Sequence, residues 1–248
     1  ESKPEGRAAL VEPVLAELGA FELDPRSDAD GLEAAAALCR SAGYWALPYP
    51  VAERLSAPTG VEAEGLVVVA DNRPSAPLAG LQNTWAAVTL AGQRSTVTGL
   101  GPAAAGFVTE LELSALDGEG AADVALGLVL PSWTLLGMLD RALELTIAHV
   151  SLRKQFGQTL SSFQGVQFQL TDAEVERSGV DILAKYALWS IATDRPEALD
   201  DALALRLAAL EAAEVVFRVC HQLHGAVGFC DETTLSWLSR YSEPSRRS

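Results

Sequence analysis

The chain has 248 residues, of which 49% are apolar and 21% charged, enough apolar material for one large core or two small ones and too much for global disorder. Its 18 basic and 33 acidic residues give a formal charge of -15, which excludes a general nucleic-acid or anionic-membrane surface. An anionic ligand would therefore depend on a few local arginines and on backbone N–H groups.

Three cysteines, Cys39, Cys220 and Cys230, show no metal-ligand spacing and read as free thiols in a reducing cytoplasm. The opening Glu1–Gly6 segment is not patterned as a signal peptide. Apolar runs such as Ala125–Leu139 are broken by Gly, Pro and Ser and read as too short for a membrane span.

In chain order, residues 7–19 predict a helix with Leu10, Val14, Leu15 and Leu18 on one face. Residues 28–42 predict a second helix, carrying Leu32, Ala35, Ala36 and Cys39 inward and stopping at Gly43. Pro48 and Pro50 interrupt, and Val51–Ala57 forms a short third helix. From Gly65 to Leu116 the character is β-type: Leu66–Val69, Thr84–Leu90, Ser95–Val97, Gly106–Thr109 and the alternating Glu110–Leu113. These suit an antiparallel sheet or small barrel, with a turn at Asp71–Pro74. Asp117–Asp123 reads as a solvated acidic loop. Three long helices follow, opening near Pro131, Phe163 and Glu197, and a short one covers Asp231–Leu238. The order predicts an α+β fold: N-terminal helices over 1–57, a small antiparallel β domain over 58–130, and a C-terminal long-helix bundle over 131–248.

Two segments carry chemistry. Arg153-Lys154-Gln155-Phe156-Gly157 joins the first two long helices, and Gln222-Leu223-His224-Gly225-Ala226-Val227-Gly228-Phe229 ends the third. Arg153 offers a planar, permanently charged fork of five donors suited to a pyrophosphate. Gly225 and Gly228 let backbone N–H groups approach an anion, and the dipole of a following helix would add to them. Gln155, Gln164 and Gln222 can donate to and accept from adenine and ribose edges, and Phe156 can pack on an aromatic ring. The plain alternative is that Arg153 and Gly225 only terminate helices.

These segments, with Gly137 in the first long helix and Phe163-Gln164 opening the second, resemble the acyl-CoA dehydrogenase family. The resemblance is good over 131–241 and thin over 58–130. It implies a cytoplasmic FAD-dependent oxidoreductase that forms the α,β double bond of an acyl-CoA thioester. It also implies that Arg153, Gln155, Phe156, Gln164, Gln222, Leu223, His224, Gly225 and Ala226 hold the adenosine-diphosphate half of an FAD shared across a subunit interface.

The family needs a carboxylate base near the substrate α carbon. Its position in one branch falls on Gly127, and in the other just past Ser248. Trp85, followed by Ala86-Ala87, reads as a sheet-core residue rather than a flavin cover. Asp140 and Glu144 read as solvated helix acids, His149 as a packed residue, and Cys220 and Cys230 as buried thiols. His221 and His224 are too few for a metal. No catalytic residue is therefore assigned. The resemblance implies a subunit that pairs with a fuller acyl-CoA dehydrogenase chain in an α2β2 assembly, as in split dehydrogenases of actinobacterial steroid degradation, with acyl-CoA mainly on the partner. A complete homo-oligomeric dehydrogenase with its base in further residues, and a flavin-free structural partner, stand as alternatives.

Overall fold

The computed structural model describes residues 6–104, 107–243 and 246. Helix α1 spans Arg7–Glu17. Its buried face is Arg7, Val11 and Leu15, whereas Leu10, Val14 and Leu18 of the expected face are exposed. The helix turns on Arg7, which is fully buried: its Nη2 donates to the Pro77 carbonyl at 2.5 Å and its guanidinium lies 4.4 Å from the Phe107 ring centroid. Hydrophobic spacing gave no sign of an arginine on the inner face.

Helix α2, Ala29–Tyr44, starts where the Asp28 carboxylate accepts from the Gly31 N–H at 2.8 Å, and it buries Leu32, Ala35, Ala36 and Cys39 as expected. Gly43 does not stop it. A Cβ there would lie 1.8 Å from the Thr134 carbonyl oxygen, and one at Gly137 would lie 1.9 Å from that of Arg40. This pair of glycines lets α2 press against the first long helix backbone to backbone. Helix α3 spans Val51–Leu55.

Five strands form one sheet: β1 Gly65–Val69, β2 Ser75–Ala76, β3 Trp85–Thr89, β4 Gln93–Leu100 and β5 Thr109–Glu119, ordered β1-β3-β4-β5-β2. The sheet is mixed: β1 runs parallel to β3 with Gly65 opposite Trp85, and the other pairings are antiparallel. The edge strands β1 and β2 are joined by residues 70–74 alone, a reach of roughly 18 Å, so the sheet curls toward itself. Gly106, at the head of one expected strand, lies outside the described residues, as does Ser248. Trp85 is 3% exposed, in the sheet core.

Only Gly120 separates β5 from α4, Ala121–Leu152, which starts ten residues before Pro131. The expected acidic loop is therefore absent: Asp117–Glu119 finish β5, and Asp123 is fully buried in the first turn of α4. Arg26 meets Asp123 at 2.8 Å and Arg94 meets it at 2.5 Å, so the acid pins the N-terminal segment and β4 to α4. Its local sequence looks solvated because both cations arrive from far along the chain.

A short hairpin follows, β6 Lys154–Gln155 and β7 Gln158–Thr159, then α5 Gln164–Ala192, α6 Ala198–His224 and α7 Thr234–Tyr241. α4 lies at the centre, packed by α2, α5, α6 and the sheet in one continuous apolar core. It is long and apolar enough to cross a membrane, but 83% of its most apolar window is buried inside the protein. Arg40 of α2 joins Asp140 of α4 and Asp181 of α5, each at 2.7 Å, and Arg177 adds to Asp140 at 3.2 Å. Asp140 is thus a member of an interhelical network, not a solvated acid.

A candidate anion-binding end of the helical bundle

α4 and α6 run the same way, with α5 between them reversed, so the two motif segments emerge at one end of the bundle. The imidazoles of His149 on α4 and His224 on α6 stack there, with centroids 4.4 Å apart. The His224 Nδ1 lies 2.9 Å from the Cys220 carbonyl, which fixes the ring. Burial, with His224 and Arg153 close by, holds the His149 imidazole below its ordinary value of 6.5. His149 is partly packed, as its place on an apolar face suggested.

Arg153 ends α4 in an extended conformation, its N–H donating to the His149 carbonyl. Among the described residues its side chain has no hydrogen-bond or ion-pair partner. The hairpin turns on Phe156 (φ 52°) and Gly157 (φ 84°), both left-handed as a two-residue type I′ connection requires. That turn lifts Phe156 clear of the protein, 92% exposed, with only Phe163 edge-on at 6.4 Å. Gln155 and Gln164 are exposed on the hairpin and on the first turn of α5.

On the other side, Gln222, Gly225 and Ala226 are exposed, His224 is half-buried and Leu223 is buried in the core. Leu223 therefore anchors the segment and offers a ligand only its backbone. Gly225 has φ 62° and ψ -146°, a combination open essentially to glycine, with open space where a side chain would stand. A five-residue 3-10 segment, Gly225–Phe229, follows, and α7 starts only at Thr234. The helix expected to add its dipole thus begins nine residues beyond Gly225, after a single 3-10 segment. Cys230, expected to be buried, is exposed because the chain has already left the bundle there; Cys39 and Cys220 are buried.

The end thus gathers one guanidinium, three amides and the backbone around Gly225, an array of donors on a protein of net charge -15. Its residue types suit a phosphate-bearing ligand such as the adenosine-diphosphate half of FAD. Among the described residues no three His, Cys, Asp or Glu side chains group as a metal site. At the opposite end lies an apolar cavity lined by Glu53 and Gly127, which no local sequence pattern announces.

Residues 129–246 match the family model described as acyl-CoA dehydrogenase, C-terminal domain. Acyl-CoA dehydrogenase FadE28 of Mycobacterium tuberculosis is 38% identical over 92 residues, 37% of this chain and 27% of its own length. Two solved structures share the fold: the ChsE4-ChsE5 complex of the same organism has a TM-score of 0.67 at 19% identity, covering 85% of this chain and 74% of that one. A variant of the Tcur3481-Tcur3483 steroid ACAD has a TM-score of 0.72 at 19% identity, covering 93% and 81%. The matches span about a quarter to two fifths of the curated relatives' lengths.

Proposed function

We propose, on the premise of the acyl-CoA dehydrogenase C-terminal domain matched at residues 129–246, that the chain is one subunit of a FAD-dependent acyl-CoA dehydrogenase, clasping a flavin whose ring and chemistry reside on a partner chain. The observation that carries this reading is Arg153: a guanidinium with no described partner, held at a helix end across the His149–His224 stack from the open Gly225 backbone. FAD, when bound, supplies the hydride acceptor for α,β-dehydrogenation of an acyl-CoA. The role of this chain is to bind and orient it. Arg153 pairs with the pyrophosphate, and Gly225 and Ala226 bring N–H groups to it. Gln155, Gln164 and Gln222 address the ribose and adenine edges, and Phe156 packs on a ring. Leu223 and His224 hold that strip in place.

The catalytic base belongs to the partner in this proposal, since α4 presents Gly127 where one branch of the family presents an acid. The partner is a fuller acyl-CoA dehydrogenase subunit in an α2β2 assembly that carries most of a bulky, steroid-like acyl-CoA. Support comes from the fold shared with a two-protein complex and with a steroid dehydrogenase. Further support is the exposed face of α5, where Phe168, Val175, Ile182 and Trp189 recur every seventh residue at 47–67% exposure. Such a stripe is costly to leave in water and marks an interface.

The test is co-expression with neighbouring reading frames, then mass and flavin stoichiometry of the purified complex. One FAD per pair of unlike chains is expected, with Arg153→Ala weakening FAD retention about tenfold, as for loss of one charge-assisted contact. A complex free of FAD, or acyl-CoA oxidation by this chain alone with a dye acceptor, overturns the proposal.

A further inference from the structure

A cavity of about 310 Å³ opens between β1, β2, the first half of α4 and the first half of α6. Gly127 on its wall stands about 40 Å along α4 from Arg153, so this is a separate site from the flavin-clasping end. Val67, Leu128, Leu203 and Leu207 make it mostly apolar, and its volume lies at the lower end of small-molecule pockets. Leu207 is 59% exposed and so stands at the mouth.

Its polar side chains are few: Glu53, Ser75 and Arg206. Half-buried Glu53 takes no hydrogen bond from another side chain among the described residues. Gly127 has a carbonyl with no i+4 helix donor, because residue 131 is proline. Glu53 and Arg206 are opposite in charge and both line the wall, so the cavity offers an ion no net attraction. Burial pushes the Glu53 carboxyl upward, against a backbone hydrogen bond and the pull of Arg7 and Arg206.

We propose that this cavity binds a compact, uncharged, hydrocarbon-rich alcohol, whose hydroxyl donates to Glu53 and whose hydrocarbon body fills the space between β1 and the α6 leucines. The site needs neither FAD nor a partner's base, and it stands apart from the flavin reading.

The probes are octan-1-ol and 1-methoxyoctane, alike in size but differing in one donor, titrated calorimetrically into the full chain. Saturable binding is expected, with the alcohol about fivefold tighter, as one net hydrogen bond gives. Glu53→Leu should make the two probes equal. Leu207→Trp should block the mouth and weaken both about tenfold; its exposed position leaves folding intact and keeps the test decisive if Glu53→Leu misfolds. Arg153→Ala should bind octanol like the parent, whatever it does to FAD. Failure of octanol to saturate, equal affinity of the parent for both probes, or unchanged binding in Leu207→Trp overturns the proposal.

Discussion

The two ends of α4 are built on opposite terms. From its start to its middle it is locked: Asp123 takes two arginines, Gly137 admits another backbone, and the sheet closes over it. Its last turn is open, with Arg153 unpaired among the described residues, Phe156 in solvent and two imidazoles stacked beneath them. The locked end spends its charges on the protein's own stability, whereas the open end keeps its donors available. A charge deep in the fold and a charge on its rim should therefore respond very differently to removal.

The largest effect should come from Asp123→Ala, which leaves Arg26 and Arg94 facing an empty site. Urea unfolding should show a loss of roughly 4 kcal/mol, the usual cost of breaking a buried ion pair. Gly137→Ala should cost about 3 kcal/mol by prising α2 off α4, because a methyl 1.9 Å from the Arg40 carbonyl cannot be housed without moving a backbone. Arg153→Ala removes a similar cation from the open end and should change stability by less than about 0.5 kcal/mol while impairing FAD retention. If it destabilises the fold as Asp123→Ala does, the contrast between the ends is broken.

The smallest effect is one of pH. The His149 imidazole is held below 6.5 in the folded chain, so it stays neutral there while the unfolded chain takes up a proton. Stability from this group is complete above pH 6.5 and is lost as pH falls through the lower folded value. NMR titration of the ring protons should place the His149 midpoint under 6.5, and His149→Phe should flatten the stability profile between pH 7 and 5. A midpoint above 6.5 would mean that the stack carries a charge.

Local pattern was enough for α2 and for the bodies of α5 and α6, where Ala and Leu recur at helical spacing and nothing distant competes. It failed where a distant partner decided the outcome. Asp123 is acidic, next to glycines, and still buried, because Arg26 and Arg94 reach it from other elements. Arg7 takes a place on the inner face of α1 by meeting Pro77 and Phe107, and Leu10, Val14 and Leu18 turn outward. Pro131 looked like a helix start and lies mid-helix, with Ser132 Oγ donating to the Leu128 carbonyl beside it. The candidate site was legible as two motifs, Arg153–Gly157 and Gln222–Phe229, because their residue types suit an anion whatever surrounds them. Their meeting across His149 and His224, and the cavity at Glu53, depend on how three helices align, which no single stretch encodes.

The cysteines offer a practical handle. Cys39 and Cys220 are sealed in the core, and burial pushes their thiols up, that of Cys220 to about 11, so neither should react at neutral pH. Cys230 stands in water directly after the Gly225–Phe229 turn. A maleimide dye should therefore attach once per chain, at the rim of the open end. Its emission would then report in real time when a second protein, or a nucleotide, settles there.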